Sequence, residues 1–134
     1  MKNIRVVVES AEDGFFSAFS ENVEGLFGAG ETVEEAKDSI KESIEILKEL
    51  DTAPEVLRED YTIEWFYDVK SLLRYWKTYM TFAGMEKFTG ISAKQLQHYS
   101  SGLKKPRRPQ RERIVNGLTR LGEQLQNTEL TENY

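Results

Sequence analysis

Apolar and polar positions change period along the chain. From Ile4 to Ser10 ("IRVVVES") β-branched residues dominate, and from Phe15 to Ser20 ("FFSAFS") aromatics alternate with small polar residues. The acidic turn "EDG" lies between, with Gly14 able to take the positive φ that a tight hairpin needs, so the two runs predict antiparallel strands. A third short strand, "GLFGAG", is bracketed by Gly25 and Gly30. The period then lengthens. Val33, Ala36, Ile40, Ile44 and Leu47 recur at helical spacing, and Thr32 with Glu35 forms a capping-box pattern, which predicts an amphipathic helix ending near Leu50. After a polar loop containing Pro54, "YTIEWFYD" returns to a β-rich aromatic run, so the first half reads β-β-β-α-β.

The second half is helical throughout. "DVKSLLRYWKTYMTFA" places Val69, Leu72, Leu73, Trp76, Tyr79, Met80 and Ala83 on one stripe, predicting a single packed helix, and "MEKFTG" predicts a short helical piece stopped at Gly90. Ser92 with Gln95 repeats the capping logic and starts another helix, ended at Gly102, whose Leu96 and Tyr99 turn inward while Lys94, Gln95 and His98 point outward. A last helix has Pro109 at its first position and a packing stripe of Ile114, Leu118, Leu121 and Leu125. The expected architecture is α+β: a small sheet with one helix laid on it over residues 1–68, followed by an all-α domain over residues 69–134.

Charge follows the same division. Up to Asp68 there are 6 Lys+Arg and 18 Asp+Glu, net -12, whereas from Val69 onward there are 12 and 5, net +7, giving the whole-chain value of -5. Such an asymmetry points to a basic partner for one end and an acidic partner for the other. Cysteine is absent, which excludes disulfides, thiolate metal sites and a cysteine nucleophile, and suits a cytoplasmic protein. The N-terminus "MKNIRVVVES" turns acidic before a signal-peptide core could form, and no run approaches the roughly 18 apolar residues of a membrane span. Two units below about 70 residues each have little core, so a homodimer or tetramer is expected.

The run "ESAEDGFFSAFSENVEGLFGAGETVEEAKDSIKESI" resembles the N-terminal domain of HicB-type antitoxins, over roughly residues 4 to 68. The resemblance implies a degenerate RNase H-like fold, and nucleases of that fold hold divalent metal ions with several carboxylates. Glu9, Glu45 and Asp68 are the candidates here. One acid at the frayed end of a strand is no metal cradle, and abundant acids ordinarily face solvent. The expectation is therefore a binding surface without catalysis, metal or cofactor.

The spacing of "TGISAKQLQHYSSGLKKP" resembles the helix-turn-helix of phage-repressor-like DNA-binding domains, through Gly90, Ile91, Ser92, Leu96, Tyr99, Gly102 and Pro106, and the likeness covers about residues 69 to 126. Glu86 departs from it, standing where that family has a small residue; either the helix starts later, near Gly84, or the two helices cross less closely. A helix starting at Ser92 fits the major groove, where Ser92, Lys94, Gln95 and His98 are the expected base-contacting residues; His98 could equally reach a phosphate or be an ordinary exposed side chain. Lys104, Lys105, Arg107 and Arg108 are the expected phosphate contacts.

Together the two resemblances imply an antitoxin that binds a small, basic, RNA-cleaving HicA-type toxin through its acidic domain and represses its own operon through double-stranded operator DNA. No individual toxin-contacting residue follows from spacing. A stand-alone transcription regulator, whose first domain binds a ligand or only oligomerises, and a metal-dependent nuclease are the competing expectations.

Overall fold

Strand β1 (Lys2–Ser10) turns Ile4, Val6 and Val8 to one side, all fully buried, and Arg5 and Glu9 to the other. In the computed structural model, which describes residues 2–132, β1 lies at the centre of a four-stranded sheet of order β3-β2-β1-β4. β2 (Phe16–Ser20) pairs antiparallel with β1, and β3 (Phe27–Gly30) antiparallel with β2. β4 (Tyr61–Tyr67) pairs parallel with β1 in the register Ile4↔Ile63, Val6↔Trp65 and Val8↔Tyr67. With five α-helices among the described residues, the class is α+β.

Helix α1 (Val33–Lys48) covers the inner face of the sheet with Val33, Ala36, Ile40 and Ile44. Its start is the expected one. Thr32 Oγ1 accepts from the Glu35 N–H at 3.1 Å, while the Glu35 carboxylate accepts from the N–H of Glu31, one residue before the position a capping box uses. The helix presses close to β3 because that strand offers no side chain on this side. A Cβ at Gly28 would meet the backbone N of Ile40 at 2.8 Å, and one at Gly30 would collide with the Glu35 Cβ. Strand alternation then sends Phe27 and Ala29 to the opposite face.

The described residues form two compact units that divide between Tyr75 and Trp76, seven residues beyond the expected boundary at 68. The first unit therefore includes helix α2 (Val69–Trp76) up to Tyr75. Asp68 caps it, its Oδ1 accepting from the Ser71 N–H at 2.7 Å. Ser71 is wholly buried, and its Oγ accepts from the Ser10 N–H at 2.8 Å, so a hydroxyl on the helix satisfies the last N–H of β1. Tyr75 stacks on Tyr67 with ring centroids 5.8 Å apart. Lys37 of α1 lies over Trp65, Tyr75 and Tyr67, at 5.0, 5.6 and 5.9 Å from their ring centres. Burial lowers the Lys37 pKa against the opposing pull of Glu34; burial and then Glu34 raise that of Tyr67 to about 12.

The single helix expected across residues 69–83 is two helices. α2 stops at Trp76, and α3 (Phe82–Thr89) begins afresh at Thr81, whose hydroxyl accepts from the Gly84 N–H at 3.0 Å. Apolar spacing continues through the break, but a threonine that supplies its own cap competes with helix continuation. Tyr79, expected inside, is 63% exposed.

In the second unit α3, α4 (Ala93–Ser101) and α5 (Arg108–Gln126) pack around Met85, Ile91, Leu96, Tyr99 and Ile114. Gly117 lets α5 approach α3, since a Cβ there would lie 2.5 Å from the Phe88 carbonyl oxygen. Leu118 and Leu121 are half-buried, but Leu125 is 65% exposed, against expectation. Leu121 and Leu125 border an open groove with Met80, Gly84 and Phe88, and Gly84 brings no side chain to cover Leu125.

Candidate nucleic-acid interface

Two left-handed glycines frame helix α4. Gly90, at φ +73°, ends α3 and returns its N–H to the Glu86 carbonyl; Gly102, at φ +83°, ends α4 and returns its N–H to Tyr99. Between Gly90 and α4 the chain makes a short turn held from inside. The buried Thr89 hydroxyl donates to the Met85 carbonyl at 2.8 Å and accepts from the Ile91 N–H at 3.1 Å. Ser92 then caps α4, accepting from the Gln95 N–H at 3.2 Å. Helix, tight turn and helix follow as the spacing predicts.

Glu86 takes part in this junction. Its Oε1 accepts from the Ala93 N–H at 2.7 Å, so the carboxylate caps the first residue of α4 and lies at the positive end of that helix. Neither expectation for Glu86 described this. α3 starts at Phe82, ahead of Gly84, and the acidic side chain stays exposed while bridging the two helices.

Of the residues expected to reach bases, Ser92 and Lys94 are exposed, whereas Gln95 and His98 are half-buried. The Gln95 Nε2 donates to the Tyr99 hydroxyl at 2.9 Å, along the helix rather than out of it. His98 keeps its Nδ1 buried without a hydrogen-bond partner. Gln97, which the spacing argument passed over, is exposed. The signal for it was Ser100: with Leu96, Tyr99 and Ser100 all buried, the helix is turned so that Lys94, Gln97 and Ser101 share the solvent side.

The expected phosphate contacts all lie open to solvent. Lys104, Lys105, Arg107 and Arg108 are exposed, and the segment leaves α4 through a bond from the Lys104 N–H to the His98 carbonyl at 3.3 Å. Arg107 is the cap residue of α5 and makes no side-chain capping bond; Pro109 takes the second helical position, one place beyond the expected first. Arg108 pairs with Glu112 at 3.1 Å, a solvated pair one turn apart that adds little stability. Gln95, Tyr99, Lys104, Lys105, Arg107 and Gln110 line a shallow cleft of about 440 Å³. Gln95 thus stands with the cations rather than with the exposed face of Lys94 and Gln97.

This arrangement does one kind of chemistry well. Cations on an open surface neutralise phosphates and release counterions, and an exposed helix carrying a lysine and a glutamine presents donors and an acceptor to base edges. The acids of the first unit are used otherwise. Glu9 is exposed at the end of β1, Glu45 pairs with Lys48 at 3.6 Å, and Asp68 caps α2. Among the described residues no group of three His, Asp or Glu is placed to hold a metal ion, and no helix is long and apolar enough to cross a membrane. No protein family, curated protein or solved structure matches this chain.

Proposed function

We propose that the protein is a HicB-type antitoxin: its sheet unit binds and silences a small, basic, RNA-cleaving toxin of the HicA type, and its helical unit binds the operator of its own operon. The observation that carries this reading is the charge division between the two compact units. Residues up to Tyr75 hold 8 Lys+Arg and 18 Asp+Glu, net -10; from Trp76 there are 10 and 5, net +5. An acidic unit joined to a basic one suits a chain that must meet a cationic protein and a polyanion separately. The resemblance of residues 4 to 68 to HicB-type domains supports the first half of this reading, as does the β-β-β-α-β order. The capped turn between α3 and α4, with exposed cations after Gly102, supports the second, a repressor-like helix-turn-helix.

Silencing in this account is steric and electrostatic. The acidic surface accelerates encounter and selects a basic partner, and the toxin's RNA-binding surface is then covered. Two copies of the chain bind an inverted repeat, because one small reading helix makes few base contacts. Co-expression with its neighbouring genes, among which this reading expects one for a short basic protein, tests the proposal. Co-purification of the pair and recovery of growth from toxin arrest support it; a neighbour that neither binds this chain nor is silenced by it contradicts it.

A further inference from the structure

The sheet of the first unit has two faces, and α1 covers only one. On the other, strand register brings four apolar side chains into a single row: Phe27 of β3 opposite Phe19 of β2, Phe19 opposite Val7 of β1, and Val7 opposite Phe66 of β4. The row crosses all four strands on the side of the sheet away from α1. One end is partly sheltered, since the Arg5 guanidinium sits 4.7 Å from the centre of the Phe66 ring. The other end is open, and Phe27 is 68% exposed. Chance does not put Phe27 there. Gly28 and Gly30 are held against α1, and strand alternation leaves Phe27 no inward position.

The surroundings of the row carry negative charge. Glu9 and Glu64 lie on the same face, and Arg5, a cation of that face, is already paired with Glu21 at 3.6 Å. At the open end Phe19 and Phe27 border a hollow of about 470 Å³ formed with the loop from Ser20 to Leu26, which also contributes Glu21 and Glu24. Aromatic faces beside carboxylates suit the aliphatic stem and charged head of a lysine or arginine.

We propose that this open sheet face is the docking surface for a basic protein, with Phe19 and Phe27 as its anchors and the hollow beside them receiving a cationic side chain of the partner. The partner's chemistry follows from charge complementarity. A second copy of this chain would bring a like-charged face, Glu9 and Glu64 included, against this one, whereas a cationic surface neutralises these carboxylates while covering the aromatic row. An apolar centre with a charged rim is the usual anatomy of a specific interface, and buried aromatics hold most of its energy. The inference rests on the antitoxin reading for the identity of the partner.

The experiment titrates the full chain against the purified product of any neighbouring gene that encodes a short basic protein, comparing wild type with Phe27→Asp. Because Phe27 is exposed, this change leaves the fold intact, and an unchanged thermal melt and unchanged DNA affinity verify that. The expected result is a loss of affinity for the basic protein of about 30-fold or more, typical of an interface anchor. A milder variant, Phe27→Ser, loses less in the same direction. If wild type and Phe27→Asp bind the basic protein equally, the face assignment is wrong while the antitoxin reading stands. Should Phe27→Asp bind normally but change the sedimentation of the chain alone, the face serves a second copy and the proposal is overturned. If wild type does not bind the basic protein at all, the antitoxin reading fails and takes this inference with it.

Discussion

The carboxylate of Glu86 accepts a hydrogen bond from the backbone N–H of Ala93 at 2.7 Å, so a side chain of α3 completes the first turn of α4. Ser92 already supplies one acceptor to that turn, through the Gln95 N–H, and Glu86 supplies a second to an N–H that no helix carbonyl can reach. The pair ties the orientation of α4 to the helix before it.

Removing that acceptor should loosen α4 locally. Glu86→Ala is expected to cost about 1 kcal/mol, the usual value of a lost N-terminal cap. Amide exchange at Ala93 reports it directly: Glu86→Ala should speed exchange there, and Glu86→Gln, which keeps an acceptor oxygen, should restore much of the protection.

Close approach of α1 to β3 gives a second expectation. Gly28→Ala places a Cβ 2.8 Å from the Ile40 backbone N and 3.0 Å from the Ala36 carbonyl oxygen, where backbone rather than a flexible side chain must move. A destabilisation of about 1 to 3 kcal/mol should follow, as for other overpacked sites. Ala29→Ser, on the exposed position beside it, should change stability by less than about 0.5 kcal/mol. Urea unfolding followed by Trp65 fluorescence compares the two.

Tyr67 predicts how the sheet unit responds to alkali. Its pKa is raised from 10.0 to about 12, first by burial and then by Glu34, so the folded state holds the neutral phenol more strongly than the unfolded chain does. The stability contributed is complete below pH 10 and is lost as the pH climbs towards 12. Lys37 acts oppositely at lower pH: its lowered pKa means that stability rises as it discharges, up to its ordinary 10.5. Urea melts across this range should show a fall for wild type above pH 10 that is shallower in Tyr67→Phe.

How much of this was legible depended on whether neighbours or long-range packing decided the outcome. The strands, α1, the caps at Thr32 and Ser92, and the stops at Gly90 and Gly102 were readable, because alternation, capping oxygens and left-handed glycines act within a few residues. The break between α2 and α3 was not, since the apolar stripe runs unbroken past Thr78 while only Thr81 signals a new start. The attachment of α2 to the sheet unit was hidden for a different reason. It depends on Ser71 meeting Ser10, residues 61 apart in sequence, and on Tyr75 meeting Tyr67. The exposure of Lys94 and of the four cations after Gly102 was also legible, because polar side chains there fall outside the apolar stripe of α4. Gln95 was drawn aside by the hydroxyl of Tyr99, a contact along the helix that spacing alone does not distinguish from an outward side chain.

The central claim is that α4 reads bases while the segment after Gly102 holds phosphates, and a salt titration of DNA affinity tests it most directly. A duplex selected by the protein from random sequences and an unselected duplex serve as targets for wild type, Lys104→Ala with Lys105→Ala, and Gln97→Ala. The double variant should weaken binding to both duplexes about equally and reduce the slope of log affinity against log salt by roughly 0.9 per lost contact, leaving the preference intact. Gln97→Ala should cost about 1 to 3 kcal/mol on the selected duplex, barely change binding to the unselected one, and relax the preference at one base pair. If the two variants behave alike on both duplexes, α4 is not the reader and the segment after Gly102 is only a cluster of exposed cations.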